Sequence, residues 1–241
     1  MRNKIFAILI PLLFVCLGAS AQIGEHRSEL SIGVTGGMSM NSIDFDPTIK
    51  QKSLMAFTGG IAMRYTCEKY FSTVCALQIE LNYTQLGWKE DISSRAGEPL
   101  PDKYTRKINY IQLPMFARLG WGKEQRGLMF YILAGPQIGY CIGDTSERSA
   151  KWTINEEGNP DRPNNMYEQY DLKIKNKIDY GIAAGLGLEL NTKIGHFTLE
   201  GRYYYGLADI FGNSKKDVFA RSANGTIFAK IGYFINIKSN N

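Results

Sequence analysis

Apolar residues recur at every second position in eight stretches of this chain, the pattern of a β-strand whose two faces meet different surroundings. The stretches are 29–40, 55–67, 74–88, 107–119, 128–142, 178–190, 196–208 and 225–238. In 178–190, Ile178, Tyr180, Ile182, Ala184, Leu186, Leu188 and Leu190 share one face, and Asp179, Gly181, Ala183, Gly185, Gly187 and Glu189 share the other. In 74–88, Cys75, Leu77, Ile79, Leu81 and Tyr83 oppose Ala76, Gln78, Glu80, Asn82 and Thr84. Each stretch holds 12–15 residues. Soluble strands are usually shorter, about 5–6 residues, whereas a tilted strand needs roughly 9–11 to cross a bilayer.

The connections between these stretches alternate in length: 14, 6, 18, 8, 35, 5 and 16 residues. A soluble sandwich has no reason to keep that rhythm. Bacterial outer-membrane barrels do keep it, with short periplasmic turns and long extracellular loops. The second face of the strands, mostly Gly, Ala, Ser, Thr, Gln and Asn, suits the crowded interior of a narrow barrel, with the apolar face toward lipid. The pattern therefore predicts an all-β fold, an eight-stranded antiparallel up-and-down transmembrane β-barrel over residues 22–241. Phe57, Tyr65, Trp88, Trp121, Tyr140, Tyr180, Tyr203 and Tyr205 lie near strand ends and are expected to form interfacial girdles.

Residues 1–21 read as a cleaved secretory leader. Arg2 and Lys4 supply its charge, Ile5 to Leu17 its apolar run, and Ala19-Ser20-Ala21 its cleavage site, so the mature chain is expected to begin at Gln22. The formal net charge of +5 then falls to +3. Scattered over a barrel, that charge gives no case for nucleic acid. The 12% of aromatic residues excludes a disordered chain.

The segments LQIELNYTQLGWK at 77–89, INYIQLPMFARL at 108–119, YILAGPQIGYCI at 131–142 and YGIAAGLGLEL at 180–190 resemble the Bacteroidetes-type outer-membrane β-barrel family, the PorT-like group. The resemblance runs over essentially the whole mature chain. It implies an eight-stranded barrel in the outer membrane, and it transfers no catalytic residue.

Candidate chemistry is sparse. Period two turns seven charged residues into the lumen: Arg64, Glu80, Arg118, Glu189, Glu200, Arg202 and Lys230. One reading is a gated ion path or a proton-linked site. The other, which we favour, is a structural ladder of salt bridges plugging a narrow barrel, since buried charges must be paired. His26 and His196, the only histidines, fall before the first strand and in a periplasmic turn, away from the outer rim where a lipid hydrolase needs its base. No His/Cys group has zinc spacing. Cys67 and Cys75 flank the first short turn, either joined by a hairpin disulfide or standing as two small apolar residues facing lipid.

The long connection 143–177, with its Asn-Pro-Asp-Arg-Pro-Asn-Asn run at 159–165, reads as irregular structure. The expected protein is non-enzymatic, without catalytic residue, metal or cofactor. Its partners are the bilayer and an envelope or surface protein met through the long loops. The alternatives are an accessory of envelope protein export and, less favoured, a small-solute channel.

Overall fold

The computed structural model describes residues 25–124, 126–163, 167–212 and 217–240. The leader expected over 1–21 and the start at Gln22 lie outside the described residues. Eight long strands follow the eight periodic stretches: β1 (Glu25–Asp46), β3 (Leu54–Tyr70), β4 (Thr73–Glu90), β5 (Tyr104–Gly122), β6 (Gly127–Arg148), β7 (Ile178–Thr192), β8 (Gly195–Asp209) and β9 (Arg221–Asn240). A two-residue strand, β2 (Gln51–Lys52), pairs with the end of β4 outside that series.

Each long strand pairs antiparallel with the next, and β1 pairs with β9 over most of its length, from Ser28↔Asn240 to Asp46↔Arg221. The ladder is thus a closed ring of eight strands. Closure leaves no open edge, which is the condition for a sheet to sit in hydrocarbon, where unpaired backbone groups find no water.

The strands are longer than the periodic stretches, at 15–22 residues. β1 continues from Met40 to Asp46 and β6 from Ile142 to Arg148, because backbone pairing persists beyond the point where alternation fades. The long connections shrink to 47–53, 91–103, 149–177 and 210–220, and the short ones to 71–72, 123–126 and 193–194. The alternation survives. Both described termini lie at the short-turn end, the periplasmic end in this topology. His26 falls inside β1, opposite Glu68, rather than before it.

Outward positions are exposed and apolar along every long strand, including Ile32, Val34, Ile61, Leu81, Ile132, Ile182, Leu186, Leu199 and Ile231. Seven of the eight expected girdle aromatics point outward or partly outward, among them Phe57, Tyr140, Tyr180 and Tyr203. Trp121 stacks on Phe130 near the periplasmic end, with ring centroids 6.2 Å apart. Trp88 is the exception: it is fully buried. Carrying period two onward from Ala76 puts Leu86, Trp88 and Glu90 on the inner face, and that is where the structure has them.

The inner face is therefore not small and polar throughout. At the outer end it carries Ile43, Phe45, Leu86, Trp88, Tyr104, Ile108 and Tyr110, packed with Tyr170, Ile210, Phe211 and Phe219 from the loops. The described residues of 149–177 are irregular, as expected, but they are not a purely solvated loop. They fold inward, and a short 3₁₀ turn at Glu168–Tyr170 buries Gln169 and Tyr170. Burial of their aromatic side chains drives that inward course.

Candidate functional site

All seven candidate charges sit inside the barrel, each between 1% and 5% exposed. They form two layers. Nearer the periplasm, the Glu189 carboxylate accepts from Arg64 Nη1 at 2.5 Å and from Arg118 Nη2. The Arg64 guanidinium lies over the Phe234 ring, 4.8 Å from its centroid, and Arg118 lies over Tyr131 at 3.8 Å. His196, near the start of β8, places Nδ1 3.4 Å from Glu189 and lies within 2.5 Å of the Asn191 amide oxygen.

The second layer centres on Glu80. It accepts from Lys230 Nζ at 2.7 Å, from Arg202 Nη1 at 3.0 Å and from Asn82 Nδ2 at 2.9 Å. Arg202 also donates through Nε to Glu200, which takes a further hydrogen bond from the Tyr131 hydroxyl at 2.9 Å. Phe116 lies beneath the Arg202 guanidinium, 4.5 Å away.

Ring order decides what these pairs do. β3 and β7 stand four strands apart in a ring of eight, on opposite walls, and so do β4 and β8. The Arg64–Glu189 and Arg202–Glu80 pairs therefore reach across the lumen rather than along its wall. Small inner residues make room for them: a Cβ added at Gly187 would collide with the Tyr131 ring that carries the hydrogen bond to Glu200.

Three groups of inward polar residues lie outside the seven candidates. Asp179 is buried at the outer side of the layers, accepting from Asn224 Nδ2 at 3.0 Å. Its parity in 178–190 was signal enough. Arg106 lies one residue before the periodic stretch 107–119 with the parity of Arg118, and donates to Asp144 at 2.7 and 3.0 Å and to the Leu172 carbonyl at 2.7 Å. Glu90, two residues past Trp88, likewise had the inner parity. The loop members of this outer cluster had no periodic signal at all. Arg162 donates through Nη1 to Asp102 at 3.0 Å and through Nε to the Tyr170 hydroxyl at 2.7 Å, and that hydroxyl donates to Glu90 at 2.7 Å. Burial holds the Tyr170 phenol well above its ordinary range, so it remains a donor at neutral pH. Its ring stacks on Trp152 and meets Tyr104 edge-on, each with centroids 4.7 Å away.

Cys67 and Cys75 are free thiols. A register shift between Thr66 and Glu68 sets Glu68, not Cys67, opposite Cys75, and the Cys67 thiol donates to the Cys75 carbonyl at 3.3 Å. The bulge takes Cys67 out of the position paired with Cys75. No group of three His, Cys, Asp or Glu residues able to hold a metal ion occurs among the described residues.

The family model described as "Outer membrane protein beta-barrel domain" matches residues 20–212. The chain belongs to this family, and it is an outer-membrane protein embedded in the lipid bilayer. No curated protein matches it. Solved structures similar to it include Ail, the attachment invasion locus protein of Yersinia pestis, at 16% identity over 88% of this chain and 99% of that one, with a TM-score of 0.36. Neisserial surface protein A matches at 11% identity over 85% and 96%, with a TM-score of 0.41. OprG of Pseudomonas aeruginosa matches at 12% identity over 88% and 98%, with a TM-score of 0.37. Membership rests on the family model, and the fold on the closed ring of eight strands.

Proposed function

We propose that this is a non-enzymatic outer-membrane protein with a structural or binding role exercised through its outer loops, residues 1–21 being a secretory leader. One observation carries the reading: the lumen is crossed by ion pairs between opposite walls and closed above them by an aromatic cap. Arg64, Glu80, Arg118, Glu189, Glu200, Arg202 and Lys230 then act as internal struts, and the surface left to recognise a surface or envelope partner is the outside of the cap. Planar-bilayer recording of the purified protein is expected to show no steady conductance; a large steady conductance overturns the plug. Pull-down from detergent-solubilised membranes should recover a partner that is lost on charge reversal at Arg95, Glu156 and Glu157, exposed residues of the cap.

Within the family we place the chain with the PorT-like group, on the four segments named above. That placement admits a second reading, an accessory of envelope protein export. It is favoured by an open, basic cavity at the periplasmic end, opposite the sealed cap.

A further inference from the structure

The periplasmic mouth holds a cavity of about 850 Å³. Five cations line it: Arg27 of β1, Lys69 of β3, Lys123 and Arg126 of the β5–β6 turn, and Lys193 of the β7–β8 turn. Two carboxylates, Glu29 and Glu124, accompany them. Glu124 is already engaged, 3.3 Å from Arg27 and 2.6 Å from Lys69. Lys123, Arg126 and Lys193 are exposed and form no ion pair among the described residues. Deeper in, the layer around Glu189 sets two arginines against one carboxylate and adds to the positive potential. Five cations against two carboxylates leave the concavity net positive, and a concave site with an excess of one sign of charge focuses that field and raises the local concentration of anions.

We propose that this mouth receives an acidic segment of a periplasmic polypeptide, its Asp and Glu carboxylates seated among Lys123, Arg126 and Lys193. The inference gives the export-accessory reading a partner chemistry and rests on nothing at the outer end. Charge complementarity selects an anion, and placement selects a polypeptide over a lipid. The lining comes from strand ends on both sides of the ring, β1, β3 and β9 facing the β5–β6 and β7–β8 turns, so the cavity lies within the barrel mouth. Lipid headgroups pack around the outside of the ring. A volume in the range of ordinary ligand pockets, about 300–1,000 Å³, admits a few residues of extended chain.

The test uses the full-length barrel in zwitterionic nanodiscs and a short fluorescent peptide of alternating Glu and Gly, with a Gln–Gly peptide as control. The wild type should bind the Glu peptide and not the control, and rising salt should weaken the binding. The combined variant Lys123→Gln, Arg126→Gln, Lys193→Gln should weaken it about tenfold or more. All three side chains are exposed, so the variant should keep the wild-type difference in mobility between boiled and unboiled samples. Equal binding by variant and wild type, or no wild-type binding above the control, overturns the proposal. So does a variant that binds the peptide normally but loses wild-type association with phosphatidylglycerol vesicles, since the cations would then serve lipid headgroups. Each of these results leaves the cap reading intact, because that is tested by substitutions at the opposite end.

Discussion

The middle of the lumen and its outer end are lined by the same faces of the same strands, yet the balance of charged and aromatic side chains that fills them differs. The middle is ionic: Glu80 is held between Arg202 and Lys230, and Glu189 between Arg64 and Arg118. The outer end is mainly aromatic, with Phe45 4.9 Å from Phe219 and 5.2 Å from Trp88, and its ion pairs, Arg106–Asp144 and Arg162–Asp102, join neighbouring strands or loops rather than opposite walls. In the middle only strand residues are available. Long side chains from opposite walls must meet there, and a buried charge is tolerable only with its counter-charge in place. At the outer end the loops supply further side chains, and a hydrophobic core forms as it would in a soluble domain. One barrel thus uses electrostatic struts where it is surrounded by lipid and ordinary core packing where it leaves the bilayer.

The largest expected effect comes from breaking a strut. Glu80→Gln leaves Arg202 and Lys230 sharing a neutral partner and should destabilise the barrel by about 3–5 kcal/mol. Urea unfolding followed by tryptophan fluorescence measures this. A cost near zero would mean that water replaces the carboxylate, and the contrast between middle and end would fall.

Ile182→Arg probes the third environment, the lipid face, at an expected cost of about 2–4 kcal/mol near the midplane. Ala183→Ser, one residue along and turned inward, should assemble almost normally. Recovery of heat-modifiable protein from membranes compares the two.

Tyr170→Phe keeps the ring in the cap but removes the hydroxyl between Arg162 and Glu90, at about 1–3 kcal/mol for the groups left unpaired. The damage should be local. Limited proteolysis should cut 149–177 sooner while the unfolding midpoint of the strands changes little. A matching loss of strand stability would show that the cap and the struts are one cooperative unit.

The smallest effect is a gain. Phe71 sits at the tip of the β3–β4 turn with φ at +53° and a side chain 98% exposed. Phe71→Asn, a residue at home in the left-handed region, should stabilise by about 1 kcal/mol in the same urea assay. It should leave both the struts and the cap untouched.

The seven strut residues were legible from parity alone, and so, in retrospect, were Asp179, Glu90 and the inward turn of Trp88. Trp88 was misplaced by its nearness to a strand end, although its even spacing from Ala76 already put it inside. Arg162, Asp102, Gln169 and Tyr170 had no comparable signal. Their segments carry no period, and they are held by partners as distant along the chain as Glu90 is from Tyr170.

By itself, the sequence determined which residues face lipid and which face the lumen, how many strands there are and which ends carry long connections. Side-chain direction alternates strictly along an extended chain, so these properties are local. Only the tertiary structure decided which charges meet, that Arg64 crosses to Glu189 and Arg202 to Glu80, and that loop side chains pack into one end while a basic cavity lies at the other. Closing the ring brings strands from distant parts of the chain to opposite walls, and no local period encodes which partner stands across.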